Sequence, residues 1–157
     1  VDRIAMTLEI RFIEVLNVSE AQTLRDIRNE CKDYMTRNTE YITEDQQVDW
    51  FNSVDRDSMK IYLIYMYNEE VMVDVVGFGY CKRDENETYL TGGIKENHRG
   101  KGYGKLLFSY LLEQAKSFST PITLEVLNTN TRAKNLYESL GFVEIKKDDR
   151  IMKMEYR

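Results

Sequence analysis

The sequence predicts an α/β fold of the α+β kind, with about seven strands and four helices in the order β-α-α-β-β-β-α-β-α-β-β. Three observations carry this prediction. Several runs alternate apolar and polar residues with period two, four others repeat apolar residues at helical spacing, and polar or glycine turns separate them. The single proline, Pro121, stands where it opens a strand rather than interrupts one.

In order, "LEIRFIEV" puts Leu8, Ile10 and Phe12 on one face and reads as a strand. "SEAQTLRDIRNECKDYM" begins with Ser19 and Gln22 as a capping box and spaces Leu24, Ile27, Cys31, Tyr34 and Met35 helically. Thr43 and Gln46 repeat that signature before a short helix over 44–54, whose core face carries Trp50 and Phe51. "KIYLIYMY", "VMVDVVGFGYCKR" and "TYLTGGIK" are strands joined by polar turns, most simply an antiparallel meander. "GKLLFSYLLEQAKSF" is a helix with Leu107, Tyr110, Leu111, Gln114, Ala115 and Phe118 along one face, and "PITLEVL" a buried strand. "NTRAKNLYESLGF" is a helix closed by Gly141, and "FVEIKK" and "RIMKMEYR" form a final hairpin.

A chain of 157 residues fits one domain spanning 1–157 and buries a core without help from disulfides or metal. Residues 1–5 precede Met6 and are set aside as an extension foreign to the fold. Cys31 and Cys81 show no metal or redox spacing and read as reduced, partly buried thiols, so the expectation is a cytoplasmic protein with no metal. No apolar run approaches the roughly 18 residues of a membrane span, and no basic-then-apolar signal opens the chain. A net charge of -5 argues against nucleic-acid binding and is compatible with a small cationic substrate.

Residues 98–108, "HRGKGYGKLLF", place three glycines at alternate positions between cations and ahead of a helix. Glycine costs a helix about 1 kcal/mol relative to alanine, so the pattern serves a different backbone geometry. Gly100, Gly102 and Gly104 let successive N–H groups turn inward at the positive end of a helix dipole, and Arg99, Lys101 and Lys105 add charge. A phosphate-bearing ligand is the natural occupant. Neither a P-loop nor a dinucleotide fingerprint fits, because Leu106 follows Lys105 in the first and Lys105 replaces the last glycine in the second. A kinase loop fails for the same missing glycine. His98, the only histidine, reads as a solvated loop residue.

Arg99–Gly104 resembles the R/Q-x-x-G-x-G/A loop of the GNAT superfamily of acyl-CoA-dependent N-acetyltransferases. Residues 124–142, "LEVLNTNTRAKNLYESLGF", resemble its second signature, with Asn130, Ala133, Tyr137, Gly141 and Phe142 at the proper spacing. The resemblance covers nearly the whole chain from Leu8 and implies a central mixed, mostly antiparallel sheet. It implies acetyl-CoA as co-substrate, lying where the fourth and fifth strands splay, with pantetheine against Gly92, Gly93 and Ile94. Arg99, Gly100, Lys101, Gly102, Tyr103, Gly104 and Lys105 would hold the pyrophosphate. Asn130 would cap its helix and touch the cofactor. The family more often carries larger apolar residues where Gly92 and Gly93 stand, and Gly93 marks either a bulge or a close backbone approach.

Chemistry of this kind needs a neutral amine, a stabilised oxyanion and a protonated leaving thiol. An alkyl amine of pKa about 10.4 is neutral in about one molecule in 2,500 at pH 7, a deficit of roughly 4.6 kcal/mol. The resemblance assigns the thiol's proton to Tyr137 and the amine's to Glu125, often through water. It places the acceptor beside the first two helices and the late hairpin. "IRNECKDYMTRNTEYITEDQQVDWF" there is faintly similar to enzymes acting on the amino sugars of sugar nucleotides. Polyamines, aminoglycosides, amino acids and protein N-termini or lysines stay open as acceptors, as does a non-catalytic acyl-CoA sensor. Glu40, Glu44, Asp45 and Asp49 read as a solvated acidic face that could also attract a polycation. An exposed edge strand near the C-terminus suits a homodimer.

Overall fold

A computed structural model describes residues 8–157, so the expectation for residues 1–5 lies outside the described part. The strands are β1 (Leu8–Glu14), β2 (Met59–Asn68), β3 (Val71–Arg83), β4 (Thr88–Ile94), β5 (Ile122–Leu127), β6 (Phe142–Lys147) and β7 (Ile151–Tyr156). The helices are α1 (Val18–Glu30), α2 (Glu44–Ser53), α3 (Tyr103–Ala115) and α4 (Thr131–Ser139). The order along the chain is the one the sequence predicts. All seven strands join one sheet, ordered β1-β2-β3-β4-β5-β7-β6, antiparallel except for the β4–β5 pair.

β2 shows why its sequence is apolar almost throughout. Tyr62, Ile64 and Met66 enter a core beneath α3 and α4, while Met59, Ile61 and Leu63 enter a second core beneath α1 and α2. Period-two alternation thus sends successive residues into opposite layers. β3 follows the same logic with two interruptions. Its register against β2 slips at Ile64/Tyr65 and at Met66/Tyr67, leaving Val76 and Val73 without partners. The slip at Val76 returns Phe78 to the α1 side, although Val76 itself packs on the α3 side.

The helix starts obey capping chemistry, with one correction. Thr43 and Gln46 make both bonds of the capping box on α2. At α1 the cap is Asn17, not Ser19: Asn17 is extended and its side chain accepts from the Glu20 amide at 2.8 Å. Glu20 reaches back to the Leu16 amide, and Gln22 bonds instead to the Glu44 carbonyl. Asn17 and Ser19 are both cap-forming residues, and the one already extended prevails. Gly141, at φ +103°, ends α4 in the left-handed turn the sequence predicts. No helix among the described residues is long and apolar enough to cross a membrane.

Candidate active site

The sheet opens between β4 and β5. The two pair only from Thr88–Leu90 against Ile122–Leu124; beyond that β4 stays with β3 and β5 stays with β7. A cleft of about 340 Å³ occupies the gap, with Gly92, Gly93 and Ile94 on one wall and the glycine loop and α4 on the others. The glycines of β4 answer to close approach rather than a bulge, because the β3–β4 register is unbroken. A Cβ on Gly92 would stand 2.6 Å from the Phe78 carbonyl oxygen, and one on Gly93 2.8 Å from Cys31 Sγ.

Gly100 and Gly102 take φ of +78° and +87°, which curls the chain into the start of α3. Gly102 is the N-cap and offers no side chain, so the first-turn amides of Tyr103, Gly104 and Lys105 have no cap. All three residues line the cleft, no acidic residue occupies that turn, and the space where a Gly102 Cβ would stand is open. This cradle fits a pyrophosphate. Asn130 lines the same cleft and caps α4, accepting from the Ala133 amide at 3.1 Å.

The cations divide differently from the expectation. Lys105 lines the cleft, whereas Lys101 is exposed and is not part of its wall. Arg99 lines it too, but its guanidinium turns inward, donating to the Ile94 carbonyl at 2.9 Å and to Cys31 Sγ at 3.4 Å. Arg132, absent from the sequence-based set, stands with its guanidinium 3.5 Å from the position of a Gly100 Cβ. A cation in the first turn of a helix opposes the helix dipole, and that mismatch was the legible sign of an anionic neighbour.

His98 is a further correction. It is buried, with Nε2 2.6 Å from Asp74 Oδ2, and Nδ1 is buried without a partner among the described residues. The carboxylate comes from β3, far off in sequence, so nothing adjacent to His98 announced it. Its hydrogen bond with His98 is the main reason the Asp74 carboxyl titrates below its ordinary range.

Deeper in the gap lies a narrow passage lined by Thr36, Phe108, Glu125 and Tyr137. Tyr137 borders both this passage and the cleft, its ring edge-on to Phe108 at 4.8 Å. Burial, and secondarily Tyr89, pushes its hydroxyl well above the ordinary phenol value. Glu125 accepts from Arg37 Nε at 2.8 Å, Arg37 Nη2 at 3.4 Å and Thr36 Oγ1 at 3.1 Å. Arg37 stacks 3.8 Å over the Tyr89 ring and lies 3.7 Å from Glu87, itself paired with Lys153. Burial raises the Tyr89 hydroxyl to about 12. Sequence reading missed Arg37, Glu87 and Tyr89, which no common motif links.

A second cavity, about 380 Å³, adjoins the passage at Met35 and Thr91. α1 and α2 wall it, together with the segment 37–42. Arg25 and Asn29 hold that segment through the Ile42 carbonyl, and Arg28 through the Arg37 and Asn38 carbonyls. The arginine-asparagine pair Arg28-Asn29 is thus a strap for the cavity wall. Trp50 packs on the α1-side core, as expected, and also lines this cavity. Both thiols are buried, which raises them, Cys81 to about 11.

Comparison with known proteins agrees with this geometry. A domain from Methanocaldococcus jannaschii superposes with a TM-score of 0.77 at 18% identity, over 95% of this chain and 99% of that one. Spermidine N-acetyltransferase from Vibrio cholerae, in complex with CoA and spermine, superposes at 0.72 with 20% identity over 94% of each chain. In sequence, a ribosomal-protein-alanine N-acetyltransferase from Haemophilus ducreyi is 33% identical over 87 residues, which are 54% of this chain and 58% of that protein's length. The acetyltransferase (GNAT) family model matches residues 21–142, from within α1 to the start of β6, and so takes in the glycine cradle, the splayed strands and Tyr137 alike: the chain belongs to that family.

Proposed function

We propose that this chain is an acetyl-CoA-dependent N-acetyltransferase acting on a primary amine of a small molecule. What supports the reading above all is the succession of cavities. A cleft with a phosphate cradle leads to a passage bordered by Tyr137 and Glu125, and that passage adjoins a separate chamber large enough for an acceptor.

Bound acetyl-CoA would supply an activated acyl carbon. The amides of Tyr103, Gly104 and Lys105 hold its pyrophosphate, with Arg132 and Lys105 adding charge. Tyr137 keeps its proton at neutral pH because burial opposes ionisation; after the amine nitrogen has added to the acyl carbon, with the oxyanion formed, Tyr137 delivers that proton to sulfur as the C–S bond breaks. Glu125 already accepts three hydrogen bonds, from Arg37 and Thr36. A carboxylate has about four acceptor positions, so one remains on Oε2 for the water that carries away the amine's proton. Arg37 fixes the direction of that position.

The likeness to a ribosomal-protein-alanine N-acetyltransferase supports a second reading, in which the acceptor is the N-terminus of a protein. The test is thiol release from acetyl-CoA across amino acids, amino sugars and their phosphates, polyamines, aminoglycosides and short peptides beginning with alanine. Release with a small amine is the expected outcome. Release with peptides alone would favour the second reading, and tight acetyl-CoA binding with no release from any amine would point to a sensor.

A further inference from the structure

The chamber beside the passage contains one enclosed charge that no described residue answers. Its ionisable lining residues are Arg28, Arg37 and Glu40, together with tyrosines. Arg37 is paired with Glu125, and Glu40 is exposed to water. Arg28 is different: it is 8% exposed and makes no ion pair among the described residues. Its Nη2 straps the cavity wall through the Arg37 and Asn38 carbonyls, while Nη1 is buried with no hydrogen-bond partner among the described residues. Burial destabilises its charged form, and that guanidinium is still the cavity wall's one enclosed cation.

An enclosed guanidinium without a counter-ion is costly, and a planar fork of donors is matched best by a carboxylate or a phosphate. From this geometry, and resting on the acetyltransferase reading above, we propose that the acceptor amine carries an anionic group that pairs with Arg28 in the chamber. The substrate class is then a small aminocarboxylate or amino-sugar phosphate. A polyamine would bring two or more ammonium groups beside an unanswered cation. The remaining wall suits the body of such a ligand, because Trp50, Tyr41 and Tyr80 offer aromatic surface to a side chain or sugar ring.

Trp50 is the chain's only tryptophan and lines the chamber, so its fluorescence reports occupancy independently of turnover. Wild-type protein, Arg28→Lys and Arg28→Met are titrated with L-phenylalanine against L-phenylalaninamide, glucosamine 6-phosphate against glucosamine, and spermidine. Thiol release from acetyl-CoA is measured in parallel. The anionic member of at least one pair is expected to bind about 10²-fold more tightly than its neutral partner, and which pair responds separates carboxylate from phosphate. That gap should narrow in Arg28→Lys, which keeps charge without the fork, and fall below about threefold in Arg28→Met.

The proposal is overturned if spermidine or the neutral partners bind as tightly as the anions, or if no anionic probe binds. It is also overturned if Arg28→Met weakens both members of a pair equally, which a purely structural strap would do. Should Arg28→Met not fold, the wild-type and Arg28→Lys comparison decides. Anion-selective binding without thiol release leaves an anion site at Arg28 standing and counts against a small amine as the acceptor. Thiol release with spermidine but not with the anionic amines does the reverse.

Discussion

Tyr137 combines three properties that its sequence position alone does not supply: a buried ring packed on Phe108, a place in the lining of two cavities, and a hydroxyl with no hydrogen-bond partner among the described residues. A proton donor gains from all three, since no described residue competes for its proton and burial keeps it un-ionised. Replacing Tyr137 with Phe keeps the ring and its packing. Steady-state kinetics should show turnover reduced about 10²- to 10⁴-fold with acetyl-CoA binding retained, and a loss under about threefold would remove the tyrosine from the proton path. Glu125 is less free than an isolated strand glutamate suggests. The partner that constrains it, Arg37, lies 88 residues earlier in the chain.

At the scale of elements, motif and structure agree mostly where the physics is local, the α1 cap at Asn17 rather than Ser19 being the exception. The glycine cradle, the α2 capping box, the Gly141 terminus and the Asn130 cap each depend on residues within a few positions, and each was legible in the sequence. What escaped was long-range. The interruptions at Val73 and Val76 depend on the register of β2, and the burial of His98 depends on Asp74 in the interrupted stretch of β3. That last contact makes a pH prediction. Asp74 titrates below its ordinary value near 3.9, so its contribution to stability is complete above about pH 4 and disappears as pH falls through the lower, folded-state value. Denaturant unfolding followed at pH 7 and pH 3 should therefore show a smaller acid-induced drop for Asp74→Asn than for the parent chain. Equal drops would mean that the pair contributes nothing to acid stability; because Asp74 is more than a third exposed, the difference should be modest.

Over the whole molecule, two cores of opposite allegiance share one sheet, and the sheet parts where the helices of both layers reach its middle. α3 and α4 pack on one side, and the end of α1 approaches from the other at Cys31. The order of elements foretold the sheet, and the family likeness foretold the parting. The chamber beyond the passage was not foreseeable, because its wall is a segment, 37–42, with no periodicity of its own and held by side chains of α1. Among the described residues β6 is an edge strand bonded only to β7, in keeping with an edge near the C-terminus.

The separation of β4 from β5 after Leu90 has a consequence for how the free protein breathes. From Thr91 to Ile94, backbone groups facing away from β3 have no strand to meet, so they are incomplete rungs in an otherwise continuous ladder. Amide hydrogens on that side should trade with deuterium within the fastest class of sheet positions and slow markedly once acetyl-CoA is added, while their neighbours in β2 and β3 stay slow throughout. If the rates at Thr91–Ile94 do not respond, the ligand's arm lies elsewhere. If they do, the small molecule serves as the missing piece of the sheet, and the melting temperature of the protein becomes a function of how much of that molecule surrounds it.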